Sequence, residues 1–321
     1  MKYETVAIHV EKLVKRYRNG VQALDGLSLT VNKGEIFSLL GQNGAGKSTL
    51  INVLTTYLRP TSGSVIIFGK DACHEATEIR TLISWVAQRT SIDTRLSLTE
   101  NMMFQSNLYK VPKEEAKKRM EALIFCFGLE QYLKYPVSSY SGGIKRRLDI
   151  ALYMMSNPKV LFLDEPTIGM DVQSRMAMWD MIRKIREDFG TTVFLTTHYL
   201  EEADRLSDTI CIIKNGKEVI QGIPHDLREY LQQNKLKISF GSKEEAKSCF
   251  GRLKNVISLK EADLYNDKII TDSKNSYADL ERVNRWLLDN GISFLGIEMI
   301  QPTLEDVFIR LTRENEREVC Q

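Results

Sequence analysis

Gly41-Gln42-Asn43-Gly44-Ala45-Gly46-Lys47-Ser48 fits the pattern G-x-x-x-x-G-K-[ST], preceded by Glu35-Ile36-Phe37-Ser38-Leu39-Leu40 and followed by Thr49-Leu50-Ile51-Asn52-Val53-Leu54. The first flank reads as an apolar strand and the second as a helix, the setting that a phosphate-binding loop requires. Glycines let successive backbone N–H groups converge on a phosphate without Cβ clashes, and the following helix turns its positive dipole end toward the same oxygens. Lys47 would reach the β- and γ-phosphates, and the Ser48 hydroxyl would be a ligand to Mg²⁺. Gly41, Asn43, Gly44, Ala45, Gly46, Lys47, Ser48 and Thr49 are the candidate contacts to a nucleotide. A glycine-rich turn that matches by accident does not account for correct flanks on both sides.

Val160-Leu161-Phe162-Leu163-Asp164-Glu165 reads as a buried strand ending in two adjacent carboxylates, at the sheet edge where a nucleotide would lie. Buried acids without a cation are costly. Mg²⁺ carried by ATP resolves the cost: Asp164 can hold the metal shell while Glu165 faces the water that attacks the γ-phosphate. The plainer alternative is a pair of solvated loop acids. His198 directly follows a second apolar run, Thr192 to Thr197, whose carboxyl end points the same way. A lone histidine after a strand is more often structural, but beside a phosphate loop it can donate to the γ-phosphate and sense its presence.

The remaining sequence sets bounds on these readings. With 321 residues the chain exceeds one domain of about 150 residues. Its 43% hydrophobic and 27% charged residues, with a net charge of +2, suit a sizeable core, argue against disorder and provide no overall field that would draw nucleic acid. Cys73, Cys126, Cys211, Cys249 and Cys320 stand far apart without a C-x-x-C pair, and read as reduced cytosolic thiols. Charges interrupt the N-terminal segment every few positions, so no signal peptide is expected. Apolar runs such as Ile36 to Leu40 fall far short of the roughly 20 residues that a membrane helix needs.

Short strands are expected at Thr5 to Val10, Val21 to Val31 and Ser64 to Phe68, as an antiparallel layer beside the nucleotide. Residues 98–157 read as a helical subdomain, with Pro112-Lys113-Glu114-Glu115 as a helix start. The strands at 160–163 and 192–195 with the helix Ser174 to Phe189 make a βαβ unit. The composition changes after Gly222-Ile223-Pro224, which places domains at 1–226 and 227–321. In the second, after a helical linker from Leu227 to Lys235, strands are expected at Leu236 to Phe240, Val256 to Leu259, Lys268 to Thr271 and Ile292 to Met299. Helices are expected at Lys243 to Leu253 and Tyr277 to Asn290, an order that suggests a ferredoxin-like sandwich.

Ser139-Tyr140-Ser141-Gly142-Gly143-Ile144-Lys145-Arg146-Arg147 resembles the L-S-G-G-Q segment that marks the ABC ATPase superfamily. Tyr140 and Ile144 depart from that pattern without removing the serine or the glycines. Ser141 can cap a helix, and Gly142 and Gly143 leave backbone donors bare for a phosphate. The resemblance implies an α/β fold with a P-loop NTPase core of RecA type, flanked by antiparallel β and α-helical subdomains. It also implies that this segment binds the γ-phosphate held by a second ATPase module, so that two modules close two composite sites. By the same resemblance, Tyr17 stacks on adenine, with a packed strand tyrosine as the alternative. Gln88 senses Mg²⁺ and water and links the site to the membrane partner, and Asp171 in Ile168-Gly169-Met170-Asp171 touches the opposite module. The resemblance covers about residues 6–222. Pro302-Thr303-Leu304-Glu305-Asp306-Val307-Phe308 resembles the closing motif of daunorubicin-type exporter ATPases, although Thr303 with Asp306 is also an ordinary capped helix start.

The expected protein is therefore an ATP-hydrolysing subunit at the inner face of the cell membrane, with ATP and Mg²⁺ as ligands. Its expected partners are separate transmembrane permease subunits and a second ATPase module. Nucleic acid is not an expected partner, since Lys145, Arg146 and Arg147 have the simpler reading of a solvated helix face. A ribosome- or DNA-acting relative would usually carry two motif sets or a coiled-coil insertion; neither is present. A P-loop kinase or GTPase leaves the S-G-G segment unexplained.

Overall fold

The computed structural model describes residues 5–229, 234–256, 262–273 and 276–310. Contacts divide the chain after Pro224 into two units.

Runs of Val, Ile, Leu and Phe without polar alternation suit strands covered on both faces. The first unit places four of them at the centre of a six-stranded sheet. The spatial order is Lys217–Gly222, Thr209–Lys214, Ile36–Leu40, Thr192–Thr197, Val160–Asp164 and Ile83–Val86. Only the first pair is antiparallel; the others are parallel. Every residue of Ile36–Leu40 and Thr192–Thr197 is buried. Phe194 stacks on Phe37 at 5.1 Å between ring centroids and meets Phe162 at 5.4 Å.

Parallel pairing brings the candidate site together. Leu40 is opposite Thr197, Asp164 opposite Thr196, and Val86 opposite Leu163. The loops that begin at Gly41, Glu165, His198 and Ala87 consequently leave the sheet along one edge.

Two layers flank this edge. The antiparallel sheet runs Gln22–Asn32, Val6–Arg16, Ser62–Ile67, Lys70–Asp71. Its second strand continues six residues beyond the expected end at Val10, with shifts of register at Val10/Leu13 and Leu13/Val14. These irregularities disguise the alternation that would have marked it as one strand. The helical layer contains Leu98–Leu108, Lys113–Cys126 and Gly142–Met154. Ser97 and Glu100 form a reciprocal capping box at the first, and Pro112 occupies the N-cap of the second.

In the second unit the elements are Asn234–Ser239, Lys243–Val256, Ala262–Tyr265, Lys268–Ser273, Ser276–Asp289 and Gly296–Ile300, in the order strand, helix, strand, strand, helix, strand. The sheet order is Ala262–Tyr265, Lys268–Ser273, Asn234–Ser239, Gly296–Ile300, antiparallel throughout. Leu236, Ile238, Ile269, Cys249, Leu253, Val283 and Leu287 form its core. The strand expected from Val256 is corrected. Val256 ends a helix, residues 257–259 lie outside the described residues, and the next described strand starts at Ala262. A short apolar run does not distinguish a helix end from a strand. The last strand begins at Gly296 and not at Ile292, because Ile292 and Phe294 turn onto the core instead of joining the ladder. The expected linker helix runs over Pro224–Glu229, and Lys235 belongs to a strand.

The last helix among the described residues covers 304–310. Thr303 Oγ1 accepts from Asp306 N at 3.2 Å, and Thr303 N donates to Asp306 Oδ2 at 2.9 Å, the reciprocal cap that the two residues suggested. Lys235 Nζ is 2.5 Å from Asp306 Oδ1. Burial pushes the Asp306 carboxyl up, but the Lys235 and Thr303 bonds outweigh it and hold the group below its usual range.

Candidate nucleotide site

Gly41 to Gly46 connect the strand Ile36–Leu40 to the helix Lys47–Leu54. Gly46, the helix N-cap, has φ +107°, and a Cβ there would stand 2.6 Å from the Ala23 carbonyl. Both backbone conformation and space exclude a side chain. At Gly41 a Cβ would meet the Ile213 carbonyl at 2.8 Å. By contrast, nothing lies within 4 Å of the Cβ direction of Gly44 (φ +84°). Gln42, Asn43, Gly44 and Ser48 are exposed, so the loop presents an open rim over a tightly packed base. Lys47 is buried, its Nζ donating to the Gly41 carbonyl at 2.5 Å and the Gln42 carbonyl at 3.3 Å. Burial lowers its affinity for the proton, and Glu165 and Asp164 partly restore it.

The carboxylates lie next to that ammonium. Glu165 Oε1 is 3.9 Å from Lys47 Nζ and 3.3 Å from His198 Nδ1. Glu165 has φ +45°, a left-handed backbone uncommon in a non-glycine residue, and strain of this kind collects at functional sites. Thr196 fixes both acids. Its hydroxyl donates to Asp164 Oδ1 at 2.6 Å, and Glu165 N donates to the Thr196 hydroxyl and carbonyl at 3.1 and 3.2 Å. The motif reading passed over Thr196, which sits in a strand where only the parallel register reveals its neighbours.

Gln88, Ser141, Gly142, Gly143, Glu165 and Asp171 line one cleft of about 300 Å³. Ser141 caps the helix Gly142–Met154, accepting from Ile144 N at 3.4 Å. The two glycines differ. Gly142 has nothing within 4 Å of its Cβ direction, whereas a Cβ on Gly143 would lie 3.1 Å from Ser174 Oγ. Ser174 is in turn bound by Asp171, which caps the helix Val172–Phe189 by accepting from Ser174 N at 2.9 Å and Ser174 Oγ at 2.7 Å. Those bonds hold the Asp171 carboxyl below its usual range. Tyr140 and Ile144, the departures from L-S-G-G-Q, both face the core. The Tyr140 hydroxyl donates to the Tyr132 carbonyl at 2.6 Å, and burial raises it.

The solvated-face reading is corrected for Arg146, which is buried; Lys145 and Arg147 stay partly exposed, with Lys145 Nζ donating to the Ser138 carbonyl at 3.2 Å and Arg147 Nη1 to the Phe127 carbonyl at 3.3 Å. The signal lay in Asp149, one turn beyond Arg146 and set between Leu148 and Ile150. Tyr17 lies in the connection between the strands Val6–Arg16 and Gln22–Asn32, with its hydroxyl 3.1 Å from Thr49 Oγ1 on the phosphate-loop helix.

A family profile described as ABC transporter matches residues 24–168. Over 312 residues the chain is 38% identical to the daunorubicin/doxorubicin resistance ATP-binding protein DrrA of Streptomyces peucetius, covering 96% of this chain and 93% of that protein. The chain belongs to the ABC transporter ATP-binding family. This ABC ATPase is also 39% identical over 224 residues to the Nod factor export ATP-binding protein I of Ralstonia nicotianae, covering 70% of this chain and 69% of that one. Among solved structures, cbiO1 from Clostridium perfringens, part of the ABC transporter complex cbiONQ, is similar at TM-score 0.66 and 29% identity, over 70% of this chain and 91% of that chain. A dimeric ATP-binding cassette in a post-hydrolysis state with ADP and Pi is similar at TM-score 0.59 and 26% identity, over 67% and 98%. The first unit is thus an ABC-type P-loop NTPase, and its activity is ATP hydrolysis coupled to transport. No helix among the described residues is long and apolar enough to cross a membrane.

Proposed function

We propose that Glu165 is the general base for ATP hydrolysis, with Lys47 and His198 holding the γ-phosphate beside it. The meeting of these three side chains from three loops at one sheet edge carries this reading. The Glu165 carboxylate takes a proton from water as the water oxygen bonds to the γ-phosphorus. The bond from that phosphorus to its bridging oxygen breaks, leaving ADP and inorganic phosphate. Lys47 and the backbone N–H groups of Gly44, Gly46 and Ser48 offset the charge that develops on the phosphates.

Ser48, Gln88 and Asp164 would hold Mg²⁺. All three offer oxygen, the donor this cation prefers, and Thr196 already orients the Asp164 carboxylate. Among the described residues no group of three or more His, Cys, Asp or Glu is arranged around a metal, and Mg²⁺ ordinarily takes few protein ligands and completes its shell with phosphate and water. When bound, it neutralises phosphate charge.

Ser141, Gly142 and Gly143 serve the nucleotide of a second ATPase module, either a second copy or a paralogue. The open side of Gly142 supports this, as does the lack, among the described residues, of any hydrogen bond from these three to the phosphate loop. Asp171 faces that second module, and Tyr17, anchored at Thr49, supplies the ring beneath the adenine. Separate transmembrane subunits receive the closing motion at the inner face of the membrane. The drug-resistance and export names of the similar proteins support export as the direction. Glu165→Gln is expected to bind ATP, lose turnover and accumulate as a dimer on size-exclusion chromatography. Wild-type hydrolysis by that variant would refute the general-base assignment.

A further inference from the structure

Arg146 is 4% exposed and Asp149 is 0% exposed, depths that charged residues reach only when paired. Both lie on the helix Gly142–Met154 that Ser141 caps. Arg146 Nη1 donates to the Ala87 carbonyl, in the loop that carries Gln88, and is 3.4 Å from Asp149 Oδ2. Nη2 donates at 3.2 Å to the Asp164 carbonyl, at the end of the acid strand. The other Asp149 oxygen accepts from both N and Oγ of Ser91 at 3.0 Å. Burial pulls Arg146 down and pushes Asp149 up more strongly than their attraction opposes it. Such a pair adds little net stability, because apolar residues of similar volume often serve a core as well or better. Its particular property is reach: it grips the Gln88 loop on both sides, at Ala87 and Ser91, together with the carboxyl end of the Asp164 strand.

We propose that the Arg146–Asp149 pair is a positioning device that locks the Gln88 loop and the Asp164 strand end in register with the Ser141–Gly143 helix end. The half of the module that serves its own nucleotide thereby moves as one body with the half that serves its partner's. This inference rests on the roles proposed above for Gln88 and the S-G-G segment.

The test uses the full chain co-expressed with its transmembrane subunit and two changes, Arg146→Lys and the charge-free Arg146→Met/Asp149→Leu. The double variant avoids a stranded buried charge. It should keep its melting temperature within about 4 °C and its MgATP affinity within about threefold. Its kcat should fall by about tenfold or more, and half-saturation should need about threefold more Mg²⁺. Arg146→Lys keeps the charge but loses the fork, and should show the same changes to a smaller degree. Because the pair acts through the loop, Gln88→Ala should cost much less in the double variant than in the unmodified chain. Fully additive losses, or wild-type kcat and Mg²⁺ dependence in the double variant, would overturn the proposal. Failure of both variants to fold would overturn it too, by making the pair a requirement of the core. If Gln88→Ala alone leaves turnover intact, the role of Gln88 falls separately, and kcat of the double variant decides the pair.

Discussion

Thr196→Val tests the support of the acid pair most directly. The Thr196 side chain is fully buried, and its hydroxyl donates to Asp164 Oδ1 at 2.6 Å while accepting from Glu165 N at 3.1 Å. Valine keeps the branched shape and the strand preference, so the change isolates one hydroxyl. A hydrogen bond to a charged group contributes about 1.5–3 kcal/mol net. Asp164 is only half-buried, and Glu165 N keeps the Thr196 carbonyl at 3.2 Å. Water can therefore replace part of the loss, and the lower end, about 1.5 kcal/mol, is expected. In a unit of this size that is a fall of about 3–6 °C in melting temperature. Thr196→Ser supplies the control. It loses a methyl group at a cost of about 1 kcal/mol but retains the hydroxyl. Stability alone does not separate the two variants, so the deciding assay is ATPase rate against Mg²⁺ concentration. Valine should raise the half-saturating Mg²⁺ and serine should leave it near wild type. Equal shifts in both variants, or no shift with valine, would refute the claim that this hydroxyl aims Asp164.

Two further outcomes are expected. Gly143→Ala puts a methyl group 3.1 Å from Ser174 Oγ, which must move by a few tenths of an ångström, while alanine adds up to about 1 kcal/mol of helix propensity. Melting temperature should change little while ATPase activity falls by about tenfold or more, and retention of full activity would show that the glycine is not needed. Cys126 is buried, and burial followed by the neighbouring Asp188 pushes its thiol up to about 11. Because the thiolate is the reactive form, only about one thiol in a thousand is ionised at pH 8. Iodoacetamide should modify the partly buried Cys73 well before Cys126, with Cys126 reacting as pH nears 11. The sign for stability follows: the folded value lies above the ordinary 9.0, so the contribution of Cys126 is complete below that pH and is lost as pH rises toward 11. Mass spectrometry showing equal labelling of both thiols at pH 8 would contradict this.

The phosphate loop, the acid pair and the S-G-G segment were legible because each is a short-range device. A loop that wraps phosphate needs glycine at fixed offsets, and a buried apolar run that ends in two carboxylates needs a cation nearby. The strand Val6–Arg16 was only half legible, since its register shifts break the alternation on which strand reading depends. Val256 was misassigned because a stretch as short as Val256-Ile257-Ser258-Leu259 has no period of its own.

By itself the sequence named the candidate chemistry: which residues could cradle phosphate, carry a proton and bind a cation, together with a resemblance in the S-G-G segment that implies a second module. Tertiary structure decided which distant groups support them. Thr196 reaches Asp164 and Glu165 only through parallel strand register, and Arg146 is a buried clamp only because Ala87, Ser91 and Asp164 close around it from three other segments. Motif spacing encodes contacts made along the chain within a turn or two. The burial of a charged side chain depends on what packs over it from elsewhere, and no local pattern records that.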